Sequence, residues 1–458
     1  MAMNAARPKY EPRLESSRTV AAQIVYEVLE NQRLFDEALE SHEGFARLTV
    51  KDRRLAYHLA AGVVKYKRRL DYIARHYLQE KFDRLPAIIL SVLRVGLFQL
   101  SVSERIPTYA AVSETVEVAR RLGHGGTAGL VNAILRRFAG AGPDDRVLFP
   151  SRETERRRFL AEWYSYPDWL VDLFCELGGE ERAEEFCRWG NREPAFTLRI
   201  NPLKTDVAGL LHAAEAEHTV LEPMPEIPGY YRWQGAGGPS RSSAILQKGM
   251  ASVQNASAGL VVRLLDPQPG ETIMDLFAAP GGKSGAIAEL QRDSGRVLAV
   301  DASTRRLAKV IENKERLGLA SILPISGNVL CLPVHGADRV LADVPCSALG
   351  TLPKNPDARW QKSPADIARL SEEQFQYLTS AAAQVRDGGV LVYATCTITH
   401  QENRSVVGRF LARNPLFALE SAVQAVDSRF VDSEGFLSVR DPGSGLDLVF
   451  AARLRKRR

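Results

Sequence analysis

Apolar positions along the chain change period twice. Between residues 15 and 140 they recur at helical spacing, as in Val20, Ile24, Val28 and Leu29 and again in Leu55, Leu59, Val63 and Val64. That spacing predicts an all-helical region. Val92-Leu93-Arg94-Val95-Gly96-Leu97-Phe98-Gln99-Leu100 is almost continuously apolar and predicts its most buried helix, with Pro86 suited to the first turn. Gly123-His124-Gly125-Gly126 interrupts the pattern, which resumes from Ala128 to Phe138. Gly140-Ala141-Gly142-Pro143 marks a boundary. Residues 151–192 read as helices carrying Trp163, Trp169 and Trp189. From Phe196 the period turns strand-like through Asn201. A helix from Val207 to Glu217 and short strands through Tyr230-Tyr231-Arg232-Trp233 then predict a small α+β module.

From about residue 250 strands and helices alternate. Strands are expected at Thr272–Leu276, Arg296–Val300, Ile322–Ser326, Arg339–Asp343 and Gly389–Tyr393. Helices are expected at Ser284–Gln291, Ser303–Leu317, Ser371–Val385 and Gln401–Asn414. Such alternation predicts a parallel sheet with helices on both faces. The fold class is multidomain: an all-α N-terminal domain (1–143), a helical linker with a small α+β domain (144–245), and an α/β Rossmann-like domain (246–458).

Charge modifies this picture. Residues 1–150 carry 23 Lys and Arg against 17 Asp and Glu, and residues 453–458 carry five more basic side chains. Residues 151–452 are net acidic, with 32 basic against 38 acidic side chains. Basic ends around an acidic centre suit a polyanion held by flanking elements. The alternative is a solvated helical face with a frayed tail. Lys65-Tyr66-Lys67-Arg68-Arg69 and Arg136-Arg137 fit either base stacking or interhelical packing with snorkelling stems. No apolar run is long enough for a membrane span, and the polar N-terminus Met1–Arg18 is no secretory signal. The five cysteines are scattered without a Cys-x-x-Cys pair, so neither a disulfide framework nor a metal site is expected. A cytoplasmic protein is expected.

Candidate chemistry falls at the carboxyl ends of the expected strands, where open parallel sheets bind ligands. The first strand runs into Asp275-Leu276-Phe277-Ala278-Ala279-Pro280-Gly281-Gly282-Lys283, whose glycines let a cofactor approach the backbone. Asp301 ends the second strand, placed for ribose hydroxyls, and Asn328 follows the third, near an adenine edge. The loop has neither P-loop nor dinucleotide glycine spacing. An adenosine without phosphates fits better, and S-adenosylmethionine is the expected cofactor.

Asp343-Val344-Pro345-Cys346 ends the fourth strand and Cys396 the fifth. Thiolate addition at carbon 6 of cytosine makes carbon 5 enamine-like and able to accept a methyl group. Asp343 can stabilise charge developing at the ring nitrogen. One thiol attacks, and the other is free to assist removal of the carbon-5 proton. Cys175, Cys187 and Cys331 read as structural.

The motifs Asp275 to Ser284, Asp343-Val-Pro-Cys346-Ser and Ala394-Thr-Cys396-Thr resemble those of RNA 5-methylcytosine methyltransferases, as do Gln254-Asn255-Ala256-Ser257 and Glu402-Asn403. Asp52-Arg53-Arg54-Leu55-Ala56, Pro107 to Glu114 and Val131 to Arg136 resemble the NusB-type helical RNA-binding fold. Leu198 to Lys204 resembles that family's small RNA-recognition-like domain. Together the chain resembles the RsmB/Sun family of bacterial small-subunit ribosomal RNA cytosine-5 methyltransferases. The resemblance implies Cys396 as nucleophile, Cys346 as the residue assisting release, and Asp343 against the cytosine and the methionine part of the cofactor. It implies Phe277, Ala278, Ala279, Pro280, Gly281, Gly282 and Lys283 at the cofactor's amino-acid end, Asp301 at its ribose and Asn328 at its adenine. Small-subunit ribosomal RNA is the implied partner of a monomer.

Four positions depart from the family pattern: Asn328 for an aspartate, Ser347-Ala348-Leu349-Gly350 for a more glycine-rich stretch, His400 for an acid, and Gly445 to Phe450 for an Asp-Gly-Phe-Phe run. Other readings stand beside the main one, among them the same chemistry on transfer RNA. In a DNA cytosine-5 methyltransferase Cys346 would attack. In a non-catalytic RNA-binding or transcription-associated factor the NusB-like region would matter most.

Overall fold

A computed structural model describes residues 16–103, 106–141, 149–235, 238–240 and 242–458. Most of the polar N-terminal stretch and the Gly142-Pro143 half of the expected boundary lie outside the described residues. Two compact units divide the chain: 1–191 with 355–361, and 192–354 with 362–458.

The first unit is helical. Helix Ala87–Ser101 buries every residue from Ile89 to Gln99. A charged group tolerates such a site only when paired. Arg94, 3% exposed, forks onto Asp71 at 2.7 and 3.0 Å and reaches Glu30 at 3.1 Å. The glycine break at 123–126 is a helix start: His124 caps Gly125–Gly140 and Thr127 reciprocates.

The basic run 65–69 lies in helix Val50–Leu78, which kinks at Tyr66. Lys65 and Arg69 are buried. The Arg69 guanidinium lies 3.9 Å from the centroid of the Trp163 ring, and Arg68 bridges Glu162 and Asp168, each at 2.9 Å. The packing alternative therefore holds for this run. Residues 355–361 complete the unit. Arg359, fully buried, donates to Gly190 O and Asn191 Oδ1 and stacks on Tyr166 at 4.1 Å. The Trp360 indole N–H donates to Val64 O at 2.7 Å.

The second unit contains two sheets. The smaller joins β1 (Thr197–Ile200), β2 (Val220–Pro223), β3 (Tyr230–Gln234) and β4 (Ala251–Val253) in the order β2-β3-β1-β4, all antiparallel. The larger contains β5 (Thr272–Leu276), β6 (Arg296–Asp301), β7 (Ile322–Ser326), β8 (Ala337–Asp343), β9 (Val385–Thr395), β10 (Phe417–Glu420), β11 (Leu437–Val439) and β12 (Val449–Lys456). Its order is β10-β12-β9-β8-β5-β6-β7, with β11 beside β12.

Strands β5 to β9 are parallel neighbours, as expected. The expected all-parallel sheet is nevertheless corrected to a mixed one, because β12, β10 and β11 add antiparallel strands beyond β9. The frayed basic tail is corrected with it. Arg453 donates to Leu264 O and Leu265 O, Arg453 and Arg455 share Glu420 at 2.8 Å, and Lys456 reaches Val385 O. These side chains hold the sheet edge. The chain runs from β5 outward to β6 and β7, then crosses back to β8. The crevice between β5 and β8 is thus the point where the order reverses, and ligands gather there.

Candidate active site

The loop after β5 is held by its own backbone bonds and by side chains that reach its backbone groups. Ala278 N donates to Val300 O at 2.9 Å and Gly281 N to Ala278 O at 2.7 Å. Gly281 sits at φ +97°, with the Val310 backbone 3.2 Å from where a Cβ would stand. Neither the conformation nor the gap suits a side chain. Phe277 packs edge-on against Tyr377. Asn313 Nδ2 donates to Pro280 O at 3.0 Å.

Asp301, 3% exposed at the end of β6, accepts from Ala279 N at 3.3 Å and Ser303 N at 2.9 Å, with Arg306 at 3.4 Å. Oδ1, which accepts only from Ser303 N, keeps a lone pair for a further donor, which fits a ribose hydroxyl. Gly327 N donates to Asp301 O at 3.2 Å, which draws Asn328 into the same corner. The Asn328 oxygen accepts from Leu330 N at 3.0 Å, so its amide nitrogen is the group it can offer. The loop also carries both signs of charge, which fits a zwitterionic amino-acid end. Asp275 lies beneath it, and burial raises its carboxyl to about 7 despite a bond from Ser284 Oγ.

Lys283 Nζ reaches Asp343 Oδ2 at 2.6 Å. Burial pulls the Lys283 ammonium down, but Asp343 and Asp275 outweigh it and hold the proton on more tightly. Cys396 lies near enough for its charge to act on the same ammonium. The Cys346 and Cys396 sulfurs are 3.2 Å apart, so strand ends 50 residues apart in sequence present two thiols as one pair. The hydrogen bond to Cys396 and burial, with Glu402 adding, push the Cys346 thiol well above its ordinary range.

Some residues of this site carried no assigned role in the sequence. Arg199, on β1, forks onto Glu289 at 2.7 and 2.9 Å and donates to Gly282 O at 2.8 Å. The small sheet thereby braces the glycine loop. Gly350 N donates to Cys396 O at 2.9 Å, and a Cβ on Gly350 would stand 2.0 Å from Leu448 O. Lys354 pairs with half-buried Asp447 at 2.7 Å. A basic residue in a strand-like stretch and an isolated glycine were the available signals, and both have commoner explanations. Among the described residues no group of His, Cys, Asp and Glu is placed to hold a metal, and no helix is long and apolar enough to cross a membrane.

Comparison with known proteins agrees with this architecture. Residues 262–455 match the family described as 16S rRNA methyltransferase RsmB/F, residues 15–140 the NusB family, and residues 166–229 an RsmF/B-like ferredoxin-like domain. A probable ribosomal RNA small subunit methyltransferase B of Synechocystis is 37% identical, covering 82% of this chain and 83% of that protein. Its counterpart in Bacillus subtilis is 33% identical over 96% of this chain and 99% of that one. The crystal structure of PH0851 shares the fold with a TM-score of 0.79, covering 96% of this chain and 99% of that one at 24% identity. NSun6 from Pyrococcus horikoshii, solved with SFG, shares it at 0.57, covering 65% of this chain and all of that one at 22% identity. Near-complete coverage at over 30% identity decides the assignment: this chain belongs to the RsmB/F family of S-adenosylmethionine-dependent rRNA methyltransferases.

Proposed function

We propose that the chain methylates carbon 5 of a cytosine in small-subunit ribosomal RNA through a covalent adduct with Cys396. The observation that carries this reading is the 3.2 Å thiol pair beside the Lys283–Asp343 ion pair. A methyltransferase acting on an already nucleophilic atom needs no such pair, whereas cytosine carbon 5 must first be activated.

When bound, S-adenosylmethionine supplies an electrophilic methyl group. Phe277 to Lys283 hold its amino-acid end, Asp301 its ribose and Asn328 its adenine. Cys396 Sγ adds as thiolate to carbon 6, and the ring electrons move to carbon 5. Asp343, with the proton on Lys283 Nζ beside it, stabilises charge at the nitrogen edge of the ring. After methylation the carbon-5 proton leaves to Cys346 Sγ. The freed electron pair forms the 5,6 double bond, and Cys396 departs as thiolate. The order is built into the pair. Cys346 holds its own proton through its hydrogen bond to Cys396 and its burial. Once Cys396 is a neutral thioether its share of that push is gone, and Cys346, having released its own proton to solvent, accepts the carbon-5 proton as thiolate.

In this reading residues 1–143 and 144–245 bind RNA and 246–458 perform the chemistry, as a cytoplasmic monomer. The target is an unpaired or extruded base in a hairpin loop of naked or partly assembled RNA, since the thiols cannot reach a stacked one. Bisulfite sequencing of total ribosomal RNA, with and without the gene, tests it. One protected small-subunit cytosine should become convertible on deletion. An unchanged map would sink the proposal.

A further inference from the structure

Glu402 is 0% exposed, and the mechanism above gives it no task. Its Oε1 accepts from the Ser347 backbone N–H at 2.8 Å and from Gln374 Nε2 at 3.1 Å. Its Oε2 accepts from the hydroxyls of Ser347 at 2.6 Å, Thr399 at 2.8 Å and Thr397 at 3.2 Å. Ser347 directly follows Cys346, and Thr397 directly follows Cys396. Their hydroxyls meet at 2.6 Å. Gln374 also donates to Pro345 O at 2.9 Å, on the other side of Cys346.

A buried carboxylate is costly unless its lone pairs meet donors. Here the donors come from the two loops that carry the thiols and from the helix Pro364–Gln384 behind them. The need for such a clamp follows from the sheet. The β8–β9 ladder ends at the pair Asp343 and Ala394, with one further bond from Val344 N to Ala394 O. Both cysteines lie past that point, and on the other edge of β9 the β12 ladder ends at Thr395 and Phe450, one residue short of Cys396. Gly350 N on Cys396 O ties one loop to the other by backbone, but no ladder sets where the side chains stand.

We propose that Glu402 is the positioning residue that sets the separation of the Cys346 and Cys396 thiols, by binding the residue after each cysteine to one carboxylate. This rests on the reading that both thiols serve one cytosine, and it deepens that reading. Glu402 is fully buried and acts on the thiols' positions through the two loops, its charge also pushing the Cys346 thiol up.

Diamide oxidation of the full-length protein measures this separation without RNA or cofactor. The reagent's azo bond takes two electrons and two protons from the thiols, becoming a hydrazine as the sulfur–sulfur bond forms. The native protein should form the Cys346–Cys396 bridge quickly, mapped by peptide mass spectrometry. In Glu402→Gln and in Ser347→Ala the bridge should form about 10-fold more slowly or worse, with S-adenosylmethionine affinity unchanged in Ser347→Ala. Should Glu402→Gln not fold, Ser347→Ala decides alone. Single-turnover assays add a second readout. Ser347→Ala should form the RNA adduct at nearly the native rate and resolve it slowly, because its loop carries Cys346. A native bridging rate in either folded variant overturns the proposal. A native protein that bridges quickly yet never traps on RNA would instead sink the cytosine chemistry and leave the clamp standing.

Discussion

The two ends of the active site are built differently. At the cofactor end, the loop after β5 has two backbone anchors, Ala278 N on Val300 O and Gly281 N on Ala278 O, and spreads its side-chain bonds over Asp301, Asn313 and Arg199. At the thiol end, the loops after β8 and β9 leave their shared ladder early and gather on Glu402, with Gln374 on Pro345 O, Asn403 on Thr397 O, one backbone bond from Gly350 N to Cys396 O and the close glycine contact. A loop whose anchors are spread over backbone and several side chains keeps its shape when one side chain changes. Loops gathered on one carboxylate and a close approach do not. Changes at the two ends should therefore separate into lost affinity and lost chemistry.

The deepest break comes from the nucleophile. Cys396→Ala should lower turnover by about 10⁴-fold or more, with no trapped adduct and native cofactor affinity in calorimetry. Measurable turnover in that variant would remove Cys396 from its role. Cys346→Ala should stop one step later and accumulate a covalent RNA adduct on denaturing gels. A freely dissociating, inactive protein would contradict the division of labour between the thiols.

Gly350→Ala tests the thiol end without touching a thiol. Its Cβ would stand 2.0 Å from Leu448 O and 2.8 Å from Cys396 O, both backbone atoms that cannot rotate away. The loops must separate, which should cost about 1–3 kcal/mol of stability and about 100-fold in turnover. Cofactor affinity should stay native. If affinity fell as far as turnover, the two ends would not be independent.

Asp301→Asn makes the complementary cut. It should weaken S-adenosylmethionine by about 10-fold, or roughly 1.4 kcal/mol. Turnover at saturating cofactor should fall far less. A pure loss of maximal rate would place Asp301 in the chemistry and erase the contrast.

What the sequence made legible follows the same division. The cofactor loop was readable because its glycines, Asp275 and Asp301 are fixed by local geometry at strand ends. The thiols were readable because Cys346 and Cys396 each close an apolar run. Their 3.2 Å separation was not, since it depends on Glu402, six residues past one cysteine and 56 past the other. Nor was Arg199, which looks like any basic residue on a strand until Glu289 and Gly282 lie opposite it. Charge misled most. The run Arg453-Leu454-Arg455-Lys456 reads as a solvated tail, yet its partners Glu420 and Leu264 O come from distant stretches. Pairing across long sequence separation hides both polarity and strand identity. The antiparallel edge at β12 was missed for that reason.

The smallest effect sharpens the contrast furthest. Ala348 adopts φ +59° and ψ +20°, the left-handed region, in the stretch where the family pattern is richer in glycine. A Cβ there costs roughly 1 kcal/mol relative to glycine. Glycine also widens the unfolded ensemble and returns part of that gain. Ala348→Gly should therefore change stability by about 1 kcal/mol or less. Its informative readout is kinetic. If side chains and close packing hold the thiol end, the added freedom two residues past Cys346 should be absorbed by the Ser347 bonds to Glu402. The adduct should then form and resolve at native rates. Slower resolution with native formation would mean that the alanine itself stiffens the Cys346 loop, with the clamp acting on the following residue alone.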